Sequence, residues 1–209
     1  TQQKVSEKWN LERDGDTVKV SRNSPFWPDQ INLFGLFSQE NEKVTLSIPE
    51  AACQQNLDAD LKLSAGNLNA DARFGALNYD GNNIVFHQGY LSAQVPTRGE
   101  AEYVGDVIHV NNADNSYTNG IMIARANFAD KTLKMAFTKP GDKSNFVNRN
   151  LEATINGNKF SGLSNDTHVD GAFYGNDAKE MAGHYTNAKE NFQGAFGGTQ
   201  QWSRGTGTH

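Results

Sequence analysis

One cysteine, Cys53, in 209 residues excludes an intrachain disulfide and any zinc site built from several thiolates. Lying inside the chain, it is also not the lipid-bearing first residue of a lipoprotein. No apolar run approaches the roughly 20 residues that a helix needs to cross a bilayer. The opening residues 1–8 are polar and carry no signal-peptide core, which reads as a mature or an intracellular chain. Basic runs are missing too: 19 Lys and Arg stand against 24 Asp and Glu, a net charge of −5. That balance argues against a sequence-independent grip on nucleic acid, which needs a basic face. No basic amphipathic stretch offers a membrane-surface helix either.

Catalytic signatures are equally scarce. There is no Gly-x-Ser-x-Gly, no His-Glu-x-x-His and no glycine loop placed before a helix to hold phosphate. The paired carboxylates Asp14/Asp16 and Asp58/Asp60 lack the spacing of a calcium-binding EF-hand loop, and Asp14-Gly15-Asp16 reads as a hairpin turn. Residues 194–198 are glycine-rich but fall within a strand pattern. The chain reads as a binder, not an enzyme.

What is present is punctuation and anchors. Twenty Gly against five Pro, with many Asn and Asp, mark the frequent turns of an all-β protein. Mean hydropathy is −0.68, yet twelve Phe, six Tyr and three Trp supply the core anchors that a disordered chain lacks.

From Arg98 onward, short alternating runs recur at a nearly regular pitch. Residues 101–110, 120–128, 131–137, 151–155 and 159–163 read as strands, the last two joined by the hairpin signal Asn156-Gly157-Asn158. Three more centre on Val169/Gly171/Phe173, Gly183/Tyr185 and Phe192/Gly194/Phe196. In a narrow barrel, glycine leaves room where the wall curves and a neighbouring aromatic fills the interior. Eight strands is the number at which side chains just fill a closed barrel. Residues 176–181 read as one helical turn capped by Asn176 or Asp177. The expectation is an all-β protein in two domains: residues 1–97 as a twisted antiparallel sheet with long loops, and 98–201 as an eight-stranded antiparallel β-barrel. Residues 202–209 read as a cloning remnant leading to a histidine tag, which removes His209 from site reasoning.

In the N-terminal part, residues 9–20 suggest two strands about the turn at Asp14-Gly15-Asp16. Residues 44–48 and 57–67 alternate as strands, residues 78–83 form a turn, and 84–87 and 89–95 follow as strands. An aromatic-rich stretch, Phe26, Trp27, Phe34 and Phe37, lies between, either as plain core or as the wall of a ligand site.

Two stretches carry a resemblance. One is Gly99-Glu-Ala-Glu-Tyr-Val-Gly-Asp106 followed by Asn127-Phe-Ala-Asp-Lys-Thr-Leu133. The other is Gly171-Ala-Phe-Tyr-Gly-Asn-Asp-Ala-Lys-Glu-Met-Ala-Gly183, ending in Gly194-Ala-Phe-Gly-Gly198. Over roughly the last hundred residues the chain resembles the barrel domain of transferrin-binding protein B and related Gram-negative surface proteins. With one modest N-terminal domain and one barrel, it most resembles a hemophilin, a secreted haem-binding member of that group. The resemblance implies a hemophore that binds haem b (iron protoporphyrin IX) in its N-terminal domain for iron acquisition. The implied partners are a TonB-dependent outer-membrane haem receptor, a dedicated outer-membrane translocator for export and host haemoglobin. The location implied is extracellular or at the cell surface. The family equally contains proteins that bind haemoglobin, transferrin or complement factor H without a cofactor, and that is the alternative.

Site residues come from chemistry. Haem needs an axial ligand and flat apolar walls. His87 is the one histidine of residues 1–97 and the candidate axial ligand to haem iron, against the plainer reading of a half-exposed strand histidine. Phe86 and Tyr90 flank it, and Phe26, Trp27, Phe34 and Phe37 are candidate pocket walls. His109, His168 and His184 fall in the expected barrel as ordinary strand or turn residues. Arg22, Lys43, Lys62 and Arg73 are the cations available to propionates.

Overall fold

The computed structural model describes residues 7–14, 17–22, 45–47, 57–65, 71–79 and 82–207. Six strands form an N-terminal sheet: β1 (Glu7–Asp14), β2 (Thr17–Arg22), β3 (Thr45–Ser47), β4 (Leu57–Ala65), β5 (Ala72–Tyr79) and β6 (Asn82–Gly89). Eight more close a barrel: β7 (Glu100–Asn111), β8 (Ser116–Asn127), β9 (Thr132–Thr138), β10 (Arg149–Asn156), β11 (Lys159–Ser164), β12 (Thr167–Tyr174), β13 (Glu180–Asn187) and β14 (Phe192–Arg204). The sheet runs β2-β1-β4-β5-β6-β3, and the barrel closes where β14 pairs with β7. All eight expected barrel strands are present and every pairing is antiparallel.

The barrel is filled from within by aromatic rings. Tyr103, Phe128, Phe137, Phe173, Tyr185 and Phe196 are all at most 2% exposed. The glycine–aromatic rhythm has a register explanation. Phe160 stands directly opposite Gly171, Phe196 opposite Gly183, and Tyr185 opposite Gly194. A Cβ built on each glycine would lie 2.2 Å, 2.7 Å and 2.2 Å from the facing ring, respectively. Each ring therefore folds over its cross-strand glycine and occupies the volume a side chain would take.

Several local expectations change. Residues 90–95 are not a strand: Gly89 ends β6, and beyond it Leu91 makes an isolated bridge to Tyr174. The chain is crossing from the sheet to the barrel there, and its polar groups turn to new partners. The Tyr90 N–H donates to the Asp71 carbonyl at 3.0 Å, and the Ser92 N–H to the Phe173 carbonyl at 3.0 Å. Strand β5 was not foreseen, because its buried face is Ala72, Phe74 and Ala76, two of which carry little hydropathy signal. Residues 78, 79, 82 and 83 belong to strands, since the β5–β6 ladder continues to Tyr79↔Asn82. The helical turn shortens to a 3₁₀ turn, Asn176–Ala178, with Gly175 before it and no side-chain cap. Gly175 takes φ 77°, which lets the Asp71 carboxylate approach its backbone. Strand β14 runs three residues past Gln201, where the barrel was expected to end. Trp202, Ser203 and Arg204 pair with Glu102, Ala101 and Glu100 after a bulge.

The sheet lies on the outer face of the barrel. Ala72, Phe74, Ala76 and Val85 from β5 and β6 pack against Ile108, Val110, Ala172, Tyr174, Ala182 and Ala195. Small barrel residues permit the close approach: the Phe74 ring rests on Gly197, whose added Cβ would meet it at 2.4 Å. Polar groups rim this seam. Gln193 Nε2 donates to the Asn83 carbonyl at 2.7 Å and to Asn112 Oδ1 at 3.1 Å. Asn83 Nδ2 donates to Asn115 Oδ1 at 2.8 Å, and the Tyr117 hydroxyl donates to Asn83 Oδ1. Gln193→Ala removes donors to the Asn83 carbonyl and the Asn112 side chain, and is expected to cost about 1–2 kcal/mol. Urea unfolding checks the loss, and faster amide exchange in β6 with unchanged exchange in β9 and β10 localises it to the seam.

Candidate functional site

The sequence reading centred on His87, and the structure gives it an unexpected neighbour. Alternation along β13 turns Met181 and Tyr185 into the barrel and leaves Glu180, Ala182 and His184 on the outer face. Outward residues of a barrel ordinarily meet water. Here the sheet covers them, and His184 lies under His87 of β6. Their Nδ1 atoms are 3.2 Å apart, one nitrogen donating and the other accepting. Both side chains are buried, with His87 only 3% exposed. Tyr174 stands edge-on to His87, with ring centroids 6.4 Å apart. Its hydroxyl is the buried side-chain polar atom that lacks a hydrogen-bond partner among the described residues.

The electrostatics follow from enclosure. Burial holds His87 well below the usual imidazole range, and the nearby charges of His184 and Lys159 press it further down. Burial brings His184 down to about 4. Both rings are therefore neutral at pH 7. On the same face, burial raises Glu180 to about 7, aided by the Asp71 charge and opposed by backbone N–H groups of Asp71 and Ala72. Glu180 and Asp106 line a cleft of about 200 Å³ with Ala72, Phe74, Gly197 and Thr199. Asp106 is likewise raised by burial.

The other sequence candidates divide into two groups. Tyr90 follows β6 and is half-buried, with its main chain tied at 3.0 Å to Asp71 and at 2.9 Å to the Gly175 N–H. Phe86 occupies the strand position before His87 in β6. Phe26, Trp27, Phe34 and Phe37 lie outside the described residues, as do Cys53 and Lys43. His109 points into the barrel, where it bonds the Tyr185 hydroxyl at 2.7 Å, and burial, with the Arg149 charge, lowers it to about 4. His168 is exposed on β12.

His184 is the residue that sequence reasoning passed over. The alternation of β13 identifies its outward direction, but nothing in the sequence shows that a second sheet covers that direction. For haem, the fit is partial. Burial provides the neutral imidazole that binds iron, but His184 closes the Nδ1 side of His87, so iron taken on that nitrogen displaces it.

Comparison with known proteins places the barrel. Residues 95–200 match the family model of the C-lobe and N-lobe β-barrels of transferrin-binding protein B. An uncharacterised protein of Haemophilus influenzae is 29% identical over 151 residues, 66% of this chain and 50% of that protein. The chain thus spans about half the length of this curated relative. Among solved structures, transferrin-binding protein B of Haemophilus parasuis aligns with a TM-score of 0.54 at 18% identity, over 94% of this chain and 45% of its own. The Neisseria meningitidis protein aligns at 0.53 and 18% identity, over 95% of this chain and 44% of its own. Both share the fold of sheet and barrel together. The chain belongs to the family of the C-lobe and N-lobe β-barrels of transferrin-binding protein B.

Proposed function

We propose that this chain is a surface-associated or secreted protein that binds a host protein, with an iron-carrying host protein as the first candidate. The observation that supports this most is architectural. A TbpB-like barrel, closed and filled by rings, carries a six-stranded sheet on its outer face. Solved transferrin-binding proteins share this pairing over at least 94% of the chain. A closed barrel has no free edge strands and serves as a rigid support. Among the described residues the sheet ends in strands β2 and β3, which approach each other. The chemistry asked of such a protein is recognition, not turnover.

The test is direct. The chain immobilised on a biosensor is exposed in turn to host transferrin, haemoglobin and complement factor H. Saturable binding to one of them, at about micromolar affinity or tighter, is the expected result. No binding to any of the three overturns the proposal.

Haem capture through His87 is the second reading, favoured by the neutral state that burial imposes on that imidazole. Hemin titrated into the chain is then expected to give a sharp Soret band at one equivalent, weakened or moved in His87→Ala. Absence of the band sinks this reading. A band unchanged in the variant keeps haem and discards His87.

A further inference from the structure

Strand β12 outruns its neighbour. Its ladder with β11 ends at Ala172↔Lys159, and the Phe173 N–H reaches one residue further, to the Asn158 carbonyl at 2.8 Å. There β11 has already turned back into β10, so among the described residues no barrel strand flanks the end of β12 on that side. On the other side the pairing with β13 continues to Tyr174↔Glu180. A gap of this kind would leave main-chain donors and acceptors of the wall unpaired.

The chain arriving from the sheet fills it. Leu91 bridges Tyr174 in antiparallel register. The Ser92 N–H donates to the Phe173 carbonyl at 3.0 Å, and the Gly175 N–H donates to the Tyr90 carbonyl at 2.9 Å. In an extended strand the N–H and C=O of one residue point the same way. Phe173 donates to Asn158 and accepts from Ser92, so the β10–β11 turn and the connector lie on one side of β12.

Ser92 fixes the attachment. It is 1% exposed, and its hydroxyl donates to the Gly175 carbonyl at 2.6 Å. Its carbonyl accepts from Asn158 Nδ2 at 3.0 Å, which joins the connector to the turn beside it. Packing holds it on both flanks, Leu91 against the seam and Val95 against the barrel interior. Toward the sheet, the Tyr90 N–H is bound to the Asp71 carbonyl just before β5.

We propose that residues 90–92 are a strap that completes the barrel wall where β11 stops and thereby locks the N-terminal sheet in one orientation. A connector that is itself part of the wall cannot act as a hinge, because swinging the sheet requires breaking bonds at the end of β12. Sheet and barrel therefore move as one rigid body, and a partner that touches both meets a preorganised surface. The strap is independent of which ligand the chain takes.

The test begins on the unaltered full chain. Residual dipolar couplings from amides of β5, β6 and the barrel strands are expected to fit a single alignment tensor. The Ser92 and Gly175 amides are expected to be protected from exchange to within about tenfold of the β12 amides. Separate tensors for sheet and barrel overturn the proposal, and so does exchange at Ser92 as fast as in an open linker. Ser92→Ala removes the hydroxyl bond to Gly175, and Asn158→Ala removes the amide bond to the Ser92 carbonyl. Each is expected to speed exchange of the Ser92 and Gly175 amides about tenfold, with β8 and β9 unchanged. Unaltered exchange at both amides in both variants overturns the strap as well.

Discussion

Lowering the pH from 7 to 4.5 is expected to weaken the contact between sheet and barrel, by about 2 kcal/mol through His184 and further in the same direction through His87. His184 titrates near 4 in the folded chain, and His87 is likewise held well below its ordinary value. A histidine whose folded pKa is depressed contributes stability that is fully present above about 6.5, its unfolded value. That contribution is lost as the pH falls toward the folded value, because the unfolded chain takes up the proton first. Lys159 near His87 adds to the cost of charging the pair, and Asp170 opposite His184 is the nearest carboxylate by register. Glu180 works in the opposite direction. Its carboxyl is raised to about 7, so protonating it on the way to pH 4.5 favours the folded chain. The net loss is accordingly smaller than the histidine contributions alone. His109 adds its own share inside the barrel, away from the seam. Urea unfolding across pH 7 to 4.5 measures the slope, and amide exchange at both pH values locates the loss in β5 and β6. His184→Gln is expected to flatten the slope by up to one proton, about 1.4 kcal/mol per pH unit. An unchanged slope in that variant means that the seam pair does not carry the acid sensitivity.

Gly171→Ala is expected to destabilise the barrel by about 2–3 kcal/mol, although it adds a single methyl group. The new Cβ would lie 2.2 Å from the Phe160 ring and 2.5 Å from the Ala182 carbonyl oxygen. Phe160 is 2% exposed and packs edge-on against Phe173 at 5.6 Å, so its ring has no empty volume to enter. Phe160→Ala alone is expected to cost about 3–5 kcal/mol through the lost ring and the cavity it leaves. The two substitutions act on one volume. In the double variant the alanine at position 171 enters space the ring has vacated, and the combined loss should fall at least 1 kcal/mol short of the sum. Denaturant unfolding of the four chains closes the cycle. Strict additivity shows that the ring does not fill the glycine's volume and removes the register explanation for the barrel's glycines.

The strands of the barrel were readable because their signals are local. Residues 132–138 alternate Leu133, Met135 and Phe137 with polar neighbours, and burial follows that alternation. Strand β5 escaped notice because alanine buries well without announcing it. The helical turn at 176–181 was overestimated, because helix-forming residues were read without the Gly175 geometry and without the pull of β13, which begins at Glu180. The candidate site divides in the same way. His87 stood out as the lone histidine of its half, whereas His184 looked like any outward residue of a barrel strand.

By itself, the sequence determined the fold class, the eight barrel strands and the glycine–aromatic partnership. Each of these rests on periodicity or composition within a few residues of itself. Only the tertiary structure decided that the sheet lies on β12, β13, β14 and β7, that Gln193 and Asn83 share a hydrogen-bonded rim, and that His87 meets His184. Which outer face of a closed barrel is covered depends on how small residues from three strands, Ala172, Ala182, Ala195 and Gly197, combine into one surface. That surface exists only after the barrel has closed.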